Sequence, residues 1–129
     1  MQTFESFGLH QDILKAITEA GFKEPSPVQQ QAIPLVLQGH DIVAQAQTGT
    51  GKTAAFGLPT MSMIDANLNK VQLLVITPTR ELATQVSDEL YSLGRFCGIK
   101  TVTIYGGSSY SRQIGLIEKG ASVIVATPG

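Results

Sequence analysis

Apolar residues along this chain change period from one segment to the next. Leu9, Ile13, Leu14 and Ile17 recur at the spacing of one helix face, and Gly21 closes that stretch. Pro25-Ser26-Pro27 then interrupts the chain, with Ser26 placed to cap a second helix and Pro27 suited to its first turn. Val28, Ala32, Ile33, Val36 and Leu37 would be its buried face and Gly39 its stop; Pro34 inside it predicts a kink or two short helices. Four short runs follow, at 41–46, 71–77, 101–105 and 122–126. Each is apolar almost throughout, as in strands of a parallel sheet covered on both faces. Between them, Leu82, Val86, Leu90 and Leu93 mark a helix over about 80–95 with Thr79 as N-cap, and another spans about 111–119 before Gly120. Strand and helix alternation with right-handed crossovers predicts an α/β fold with a doubly wound parallel sheet.

Ligands of such a sheet gather at the carboxyl ends of its strands, where Gln45, Pro78, Gly106 and Thr127 fall. One of these ends carries Ala46-Gln47-Thr48-Gly49-Thr50-Gly51-Lys52-Thr53, between the first strand and a helix expected to start at Lys52. Gly49 and Gly51 permit positive φ, so the backbone can curl and turn successive N–H groups toward anionic oxygens. The helix adds its positive end at the same place. Lys52 can reach the β- and γ-phosphates, and the Thr53 hydroxyl can ligate Mg²⁺. Ala46 stands where the general pattern has glycine, which is tolerable if φ there stays negative. A plain Gly-rich turn would need neither the preceding strand nor the Lys-Thr pair. The segment is therefore expected to bind a nucleoside triphosphate.

The 129 residues amount to one domain, and 43% hydrophobic content fits a well-buried sheet. A net charge of −1 provides no general positive field, so any nucleic-acid contact must be local. Cys97 is the single cysteine and is expected to be a reduced packing residue; no Cys/His group has metal-site spacing. Met1-Gln2-Thr3-Phe4-Glu5 lacks the regions of a signal peptide, and no apolar run approaches the roughly 18 residues of a membrane span. A cytoplasmic protein without a membrane segment is expected. His10 and His40 have no catalytic partner in the sequence, and Lys15, Lys23, Lys70, Lys100 and Lys119 read as solvated surface charge. Three strand exits are rich in small and hydroxyl residues: Thr77-Pro78-Thr79-Arg80, Gly106-Gly107-Ser108-Ser109 and Thr127-Pro128-Gly129. One such loop is ordinary turn chemistry. Three on one edge make a row of nucleic-acid phosphates an equally good reading.

At these residues the chain resembles the DEAD-box family of ATP-dependent RNA helicases, over essentially its whole length. The part resembled is the N-terminal part of the first RecA-like domain. Five motifs in order carry the resemblance. Gly21-Phe22-Lys23-Glu24-Pro25-Ser26-Pro27-Val28-Gln29 is similar to the adenine-reading Q motif, with Phe4 as its upstream aromatic and Ser26 where Thr is commoner. The phosphate loop follows, where Ala46 is the family's usual choice. Then come Pro78-Thr79-Arg80-Glu81-Leu82-Ala83, Gly106-Gly107 and Thr127-Pro128-Gly129. The resemblance implies a RecA-like P-loop sheet, incomplete at its C-terminal side: a partial ATP-binding domain over 1–129. Within it, 1–39 would be the Q-motif helical region, and 40–129 the phosphate loop and first RNA-contact motifs.

The resemblance also assigns sites. Phe22 and Gln29 would hold adenine, and Ala46, Gln47, Thr48, Gly49, Thr50, Gly51, Lys52 and Thr53 the phosphates of ATP. Lys52 and Thr53 would be catalytic, with Mg²⁺ at Thr53. The RNA backbone would meet Pro78, Thr79, Arg80, Gly106, Gly107, Thr127, Pro128 and Gly129. The chemistry agrees: an amide offers a donor and an acceptor that match adenine, and an aromatic face can stack on the ring. Without the family, Phe22 would read as a core aromatic and Gln29 as a solvent-facing helix residue. Phe4 is read as packing behind the Q motif. Glu81 is expected to pair within the protein, since a carboxylate facing phosphates would repel them.

In the family's mechanism, ATP and RNA bind together between two RecA-like domains, which close and bend one strand of a short duplex. Phosphoryl transfer needs placed phosphates, Mg²⁺, a residue orienting the attacking water, and positive charge on the transition state. Lys52 and Thr53 serve the first two needs. The Asp-Glu-Ala-Asp and Ser-Ala-Thr segments and the second domain would follow Gly129, so the chain is expected to be a fragment, marginally stable, binding ATP weakly and turning over none. Two alternatives stand beside a helicase that remodels short RNA duplexes. One is a non-catalytic nucleotide- and RNA-binding half-domain. The other is a different enzyme on the same loop, such as a DNA helicase or a small nucleotide kinase; the Phe22/Gln29 pair and the Pro78-Thr79-Arg80 loop argue against the kinase.

Overall fold

Three strands, β1 (Leu73–Ile76), β2 (Thr101–Ile104) and β3 (Val123–Ala126), pair in parallel in the order β1-β3-β2. The computed structural model describes residues 3–45, 51–106 and 109–128, and of Tyr110 only the backbone. Ala46, Gln47, Thr48, Gly49, Thr50, Gly107 and Gly129, all expected site positions, lie outside the described residues. In register, Ile76, Ala126 and Ile104 are level, so the three strands end along one edge. The exits are bonded to each other as well: Thr77 N donates to Ala126 O at 2.9 Å, and Thr127 N to Ile104 O at 3.1 Å.

Among the described strands only β3 is covered on both faces, with Val123 and Val125 fully buried and Ile124 nearly so. The expectation that every strand would be covered fails at β1, where Leu74 is 58% and Ile76 64% exposed. Apolar content alone does not distinguish a central strand from an edge strand, and among the described residues β1 has a neighbour on one side only. The opposite face joins Val123 and Val125 to Leu73 and Val75 and packs into the main core.

That core is built by helices α1 (Gln11–Glu19), α2 (Pro27–Leu37), α3 (Lys52–Ser62) and α4 (Arg80–Gly94); α5 (Tyr110–Glu118) lies beyond, against β2. Ile13 and Ile17 of α1, Ile33 of α2, Leu58 and Met61 of α3, and Leu90 of α4 are each no more than 2% exposed. The fit is close at Gly57, where a Cβ would lie 2.7 Å from Leu90 Cδ2. α2 runs through Pro34 as one helix rather than two. The ring removes a single N–H donor, and the neighbouring turn survives, with Gln38 N bonded to Pro34 O at 3.1 Å.

α4 begins where expected, Thr79 Oγ1 accepting from Leu82 N at 3.2 Å. Thr79→Ala should therefore lower stability by about 1 kcal/mol, read as a lower urea midpoint with an unchanged slope; an unchanged midpoint would show the cap to be idle.

The strand expected at 41–46 is not formed over residues 41–45. They carry no regular structure and pair with no strand among the described residues, and Val43 is fully exposed. A strand needs a neighbour for its N–H and C=O groups. Here the segment instead borders an open groove against Val28, Ala32 and Leu35 of α2.

Candidate functional site

α3 starts from Gly51, which sits at φ +83° in the left-handed region and offers no side-chain cap. Among the described residues no side chain caps the first N–H groups of this eleven-residue helix, at the end that favours anions. Lys52 is exposed at the first helical position and Thr53 half-buried at the second. This donor set fits a phosphate group: main-chain N–H groups, an ammonium and a hydroxyl, with no carboxylate in the first turn.

Gln29 approaches the same point from α2 and is 4% exposed, so the reading as a solvent-facing residue is excluded. Its Oε1 accepts from Ser26 N at 2.9 Å, while Ser26 Oγ accepts from Gln29 N at 3.4 Å, a reciprocal capping box. Its Nε2 donates to Gly51 O at 3.2 Å. One amide therefore ties the turn before α2 to the start of α3. A side chain at Gly51 would collide with that amide and would also be strained by the positive φ. After these bonds the amide oxygen keeps a second lone pair and the nitrogen a second proton.

Phe22 is 36% exposed, and its ring lies 5.9 Å from that of Phe4, tilted by 54°. Phe4 is buried and packs edge-on against Phe7 at 6.2 Å. Phe4 is thus the packing residue behind Phe22, and Phe22 keeps accessible surface for a ring.

The level strand ends bring Pro78, Thr79, Arg80, Gly106, Thr127 and Pro128 to one edge. Thr77 is buried, its Oγ1 donating to Thr79 O at 3.2 Å, which holds the turn that presents Arg80. The Arg80 guanidinium lies 4.3 Å from the centroid of the Tyr105 ring. Among the described residues neither Arg80 nor Glu81 takes part in an ion pair. The expected internal partner of Glu81 is absent there; the residue sits in the first turn of α4, where a carboxylate suits the helix dipole without one. An open groove of about 540 Å³ runs from Lys52, Thr53 and Phe56 across Val75 and Ile76 to Pro78, Leu82 and Glu89, joining the start of α3 to this edge.

A smaller cavity brings together His10, Asp12 and Cys97, whose ligand atoms lie within 4.8 Å of one another. His10 Nδ1 accepts from Asp12 N at 3.1 Å and caps α1. Burial, and then the nearby Asp12 carboxylate, push the Cys97 thiol pKa up, which disfavours the thiolate. Sequence spacing conceals this group, since Cys97 arrives from the far end of α4. Among the described residues no helix is long and apolar enough to cross a membrane.

A parallel sheet with level carboxyl ends, preceded by a helix with an open amino end, is the frame of a RecA-like α/β nucleotide-binding domain. Residues 26–129 match the family profile described as DEAD/DEAH box helicase, and the chain belongs to that family. It is 54% identical over 127 residues to the DEAD-box ATP-dependent RNA helicase RhpA of Helicobacter pylori, covering 98% of this chain and 26% of the relative. It is 51% identical over 129 residues to the ATP-dependent RNA helicase CshA of Listeria monocytogenes, covering all of this chain and 25% of that protein. Among solved structures, a DEAD box protein from Methanococcus jannaschii superposes with a TM-score of 0.91 at 40% identity, over 100% of this chain and 35% of that one. A hypothetical ATP-dependent RNA helicase from Sulfolobus tokodaii gives 0.83 at 41% identity, over 94% and 34%. The chain thus spans about a quarter of the length of the curated relatives it matches.

Proposed function

We propose that this chain is the ATP- and RNA-binding front of an ATP-dependent RNA helicase that remodels short duplexes. The observation that carries the reading is the buried Gln29 amide joined to the Gly51 carbonyl, beside the open start of α3 and below an edge of three level strand exits. Gln29 would read the purine with its free lone pair and proton, and Phe22 would stack on it. Gly51 and the residues before it, Ala46 to Thr50, would wrap the phosphates, with Lys52 on the outer ones. Mg²⁺ fits the Thr53 hydroxyl and would neutralise developing phosphate charge.

Arg80 would contact RNA phosphates from the outer edge with Pro78, Thr79, Gly106, Gly107, Thr127, Pro128 and Gly129. Such contacts carry no base information, and affinity should fall with salt. Hydrolysis would require, besides Lys52 and Thr53, a residue that orients the attacking water. A second RecA-like domain would complete the cleft, and the cytoplasm is the compartment we assign.

The test is competition between unlabelled ATP and GTP for a fluorescent adenine nucleotide on the chain. ATP should displace the probe about 5- to 150-fold more effectively, as a bidentate amide–adenine contact is worth roughly 1–3 kcal/mol. Equal displacement by GTP would defeat the purine reading.

A further inference from the structure

We propose that Tyr105 is a positioning residue for RNA, its ring holding the Arg80 guanidinium over the strand-exit edge so that it meets phosphate already oriented. The inference rests on the reading of that edge as the RNA-binding surface and extends it to a residue that the strand-exit motifs do not include.

Arg80 stands in the first turn of α4, where the helix dipole repels a cation, and no carboxylate pairs with it among the described residues. A long, exposed side chain in that position would sample many rotamers and lose that freedom on binding. The Tyr105 ring at 4.3 Å supplies what is missing: a flat, electron-rich surface on which a guanidinium stacks without using its N–H donors. The donors in the guanidinium plane stay free for phosphate oxygens.

Tyr105 is itself held. It is half-buried, and its backbone N donates to Gln113 Oε1 at 3.0 Å. Gln113 Nε2 donates in turn to Ser109 O at 3.4 Å. One side chain of α5 thereby grips both the residue that enters the Gly106-containing loop and the residue that leaves it. The chain of support runs from α5 through Gln113 to Tyr105 and from Tyr105 to Arg80, so two of the three strand exits act as one surface.

The experiment compares wild type with Arg80→Ala, Tyr105→Leu, Tyr105→Phe and the Arg80→Ala/Tyr105→Leu double variant of the chain. Binding of a fluorescein-labelled oligouridylate is titrated at several salt concentrations, with circular dichroism confirming the fold of each. Arg80→Ala should weaken binding about tenfold and reduce the slope of log affinity against log salt by about 0.7, one phosphate contact on a single strand. Tyr105→Leu should reproduce most of both changes, Tyr105→Phe should retain wild-type affinity and slope, and the double variant should bind no worse than Arg80→Ala. In the RNA-free chain, the Arg80 side-chain proton resonances should carry a ring-current shift that Phe preserves and Leu abolishes. If Tyr105→Leu binds like wild type while Arg80→Ala is impaired, the inference is overturned and the RNA surface stands. If the double variant is additive, Tyr105 contacts RNA on its own account and the positioning role is equally overturned. If Arg80→Ala changes nothing, or the chain binds no RNA, the underlying reading of the edge falls and takes the inference with it.

Discussion

Lys52→Ala is expected to cut affinity for ATP by about 10- to 100-fold, the worth of a hydrogen bond to a charged group, while leaving the unfolding midpoint where it was. Among the described residues lining the groove at the start of α3, Lys52 is the one cation, and Glu89 stands on the far wall. The helix end contributes fixed partial charge, but the ammonium is the full positive charge available to offset a triphosphate. Because Lys52 is exposed, truncating it opens no cavity and orphans no buried partner. Lys52→Arg should recover part of the loss: it restores charge without the compact ammonium that fits between two phosphates. Titration with a fluorescent ATP analogue, paired with urea denaturation of the same preparations, reads both halves. Wild-type affinity in the alanine variant would remove Lys52 from the phosphate site.

The contact between Gly57 and Leu90 should show the largest stability effects and a characteristic failure of additivity. Leu90→Ala empties a fully buried position and should cost about 2–5 kcal/mol. Gly57→Ala has two opposed terms. Alanine gains roughly 1 kcal/mol of helix propensity, but its methyl would stand 2.7 Å from Leu90 Cδ2 inside a filled core. Overpacking costs about 1–3 kcal/mol, and a fully buried Leu90 can yield only by pressing on its neighbours in the core, so net destabilisation is the expected outcome. In the double variant the new methyl enters the space that Leu90 vacates. The combined loss should therefore fall short of the sum of the two single losses by about 0.5–3 kcal/mol, the range for residues in contact. Four denaturation curves decide it, and strict additivity would mean that α3 and α4 do not meet at this pair.

The local parts of the fold were legible in the sequence. Helix spacing placed Ile13, Ile17, Leu90 and Leu93 in the core, and the hydroxyls of Ser26 and Thr79 fell at helix starts where they cap. Both signals act within one or two turns of chain. Non-local features were not legible. The run at 41–46 has the composition of a strand, yet pairing depends on what lies beside it, and over 41–45 none is found among the described residues. The same blindness made β1 look as buried as β3. At the candidate site, the family resemblance singled out Gln29, but not its bridge to Gly51, because the bridge spans 22 positions. The Arg80–Tyr105 stack and the approach of Cys97 to His10 arise only when helices and strands have packed.

The open flank of β1 has a practical consequence for the polypeptide in solution. Leu73, Leu74, Val75 and Ile76 form an uncharged strand without proline, paired on one side among the described residues, with two side chains largely exposed. Proteins guard such flanks with lysines, prolines or bulges, and no such guard stands within these four residues. Crowding will therefore favour strand-on-strand aggregation between copies, and a lysine in place of Leu74 is the natural remedy for a sample that precipitates.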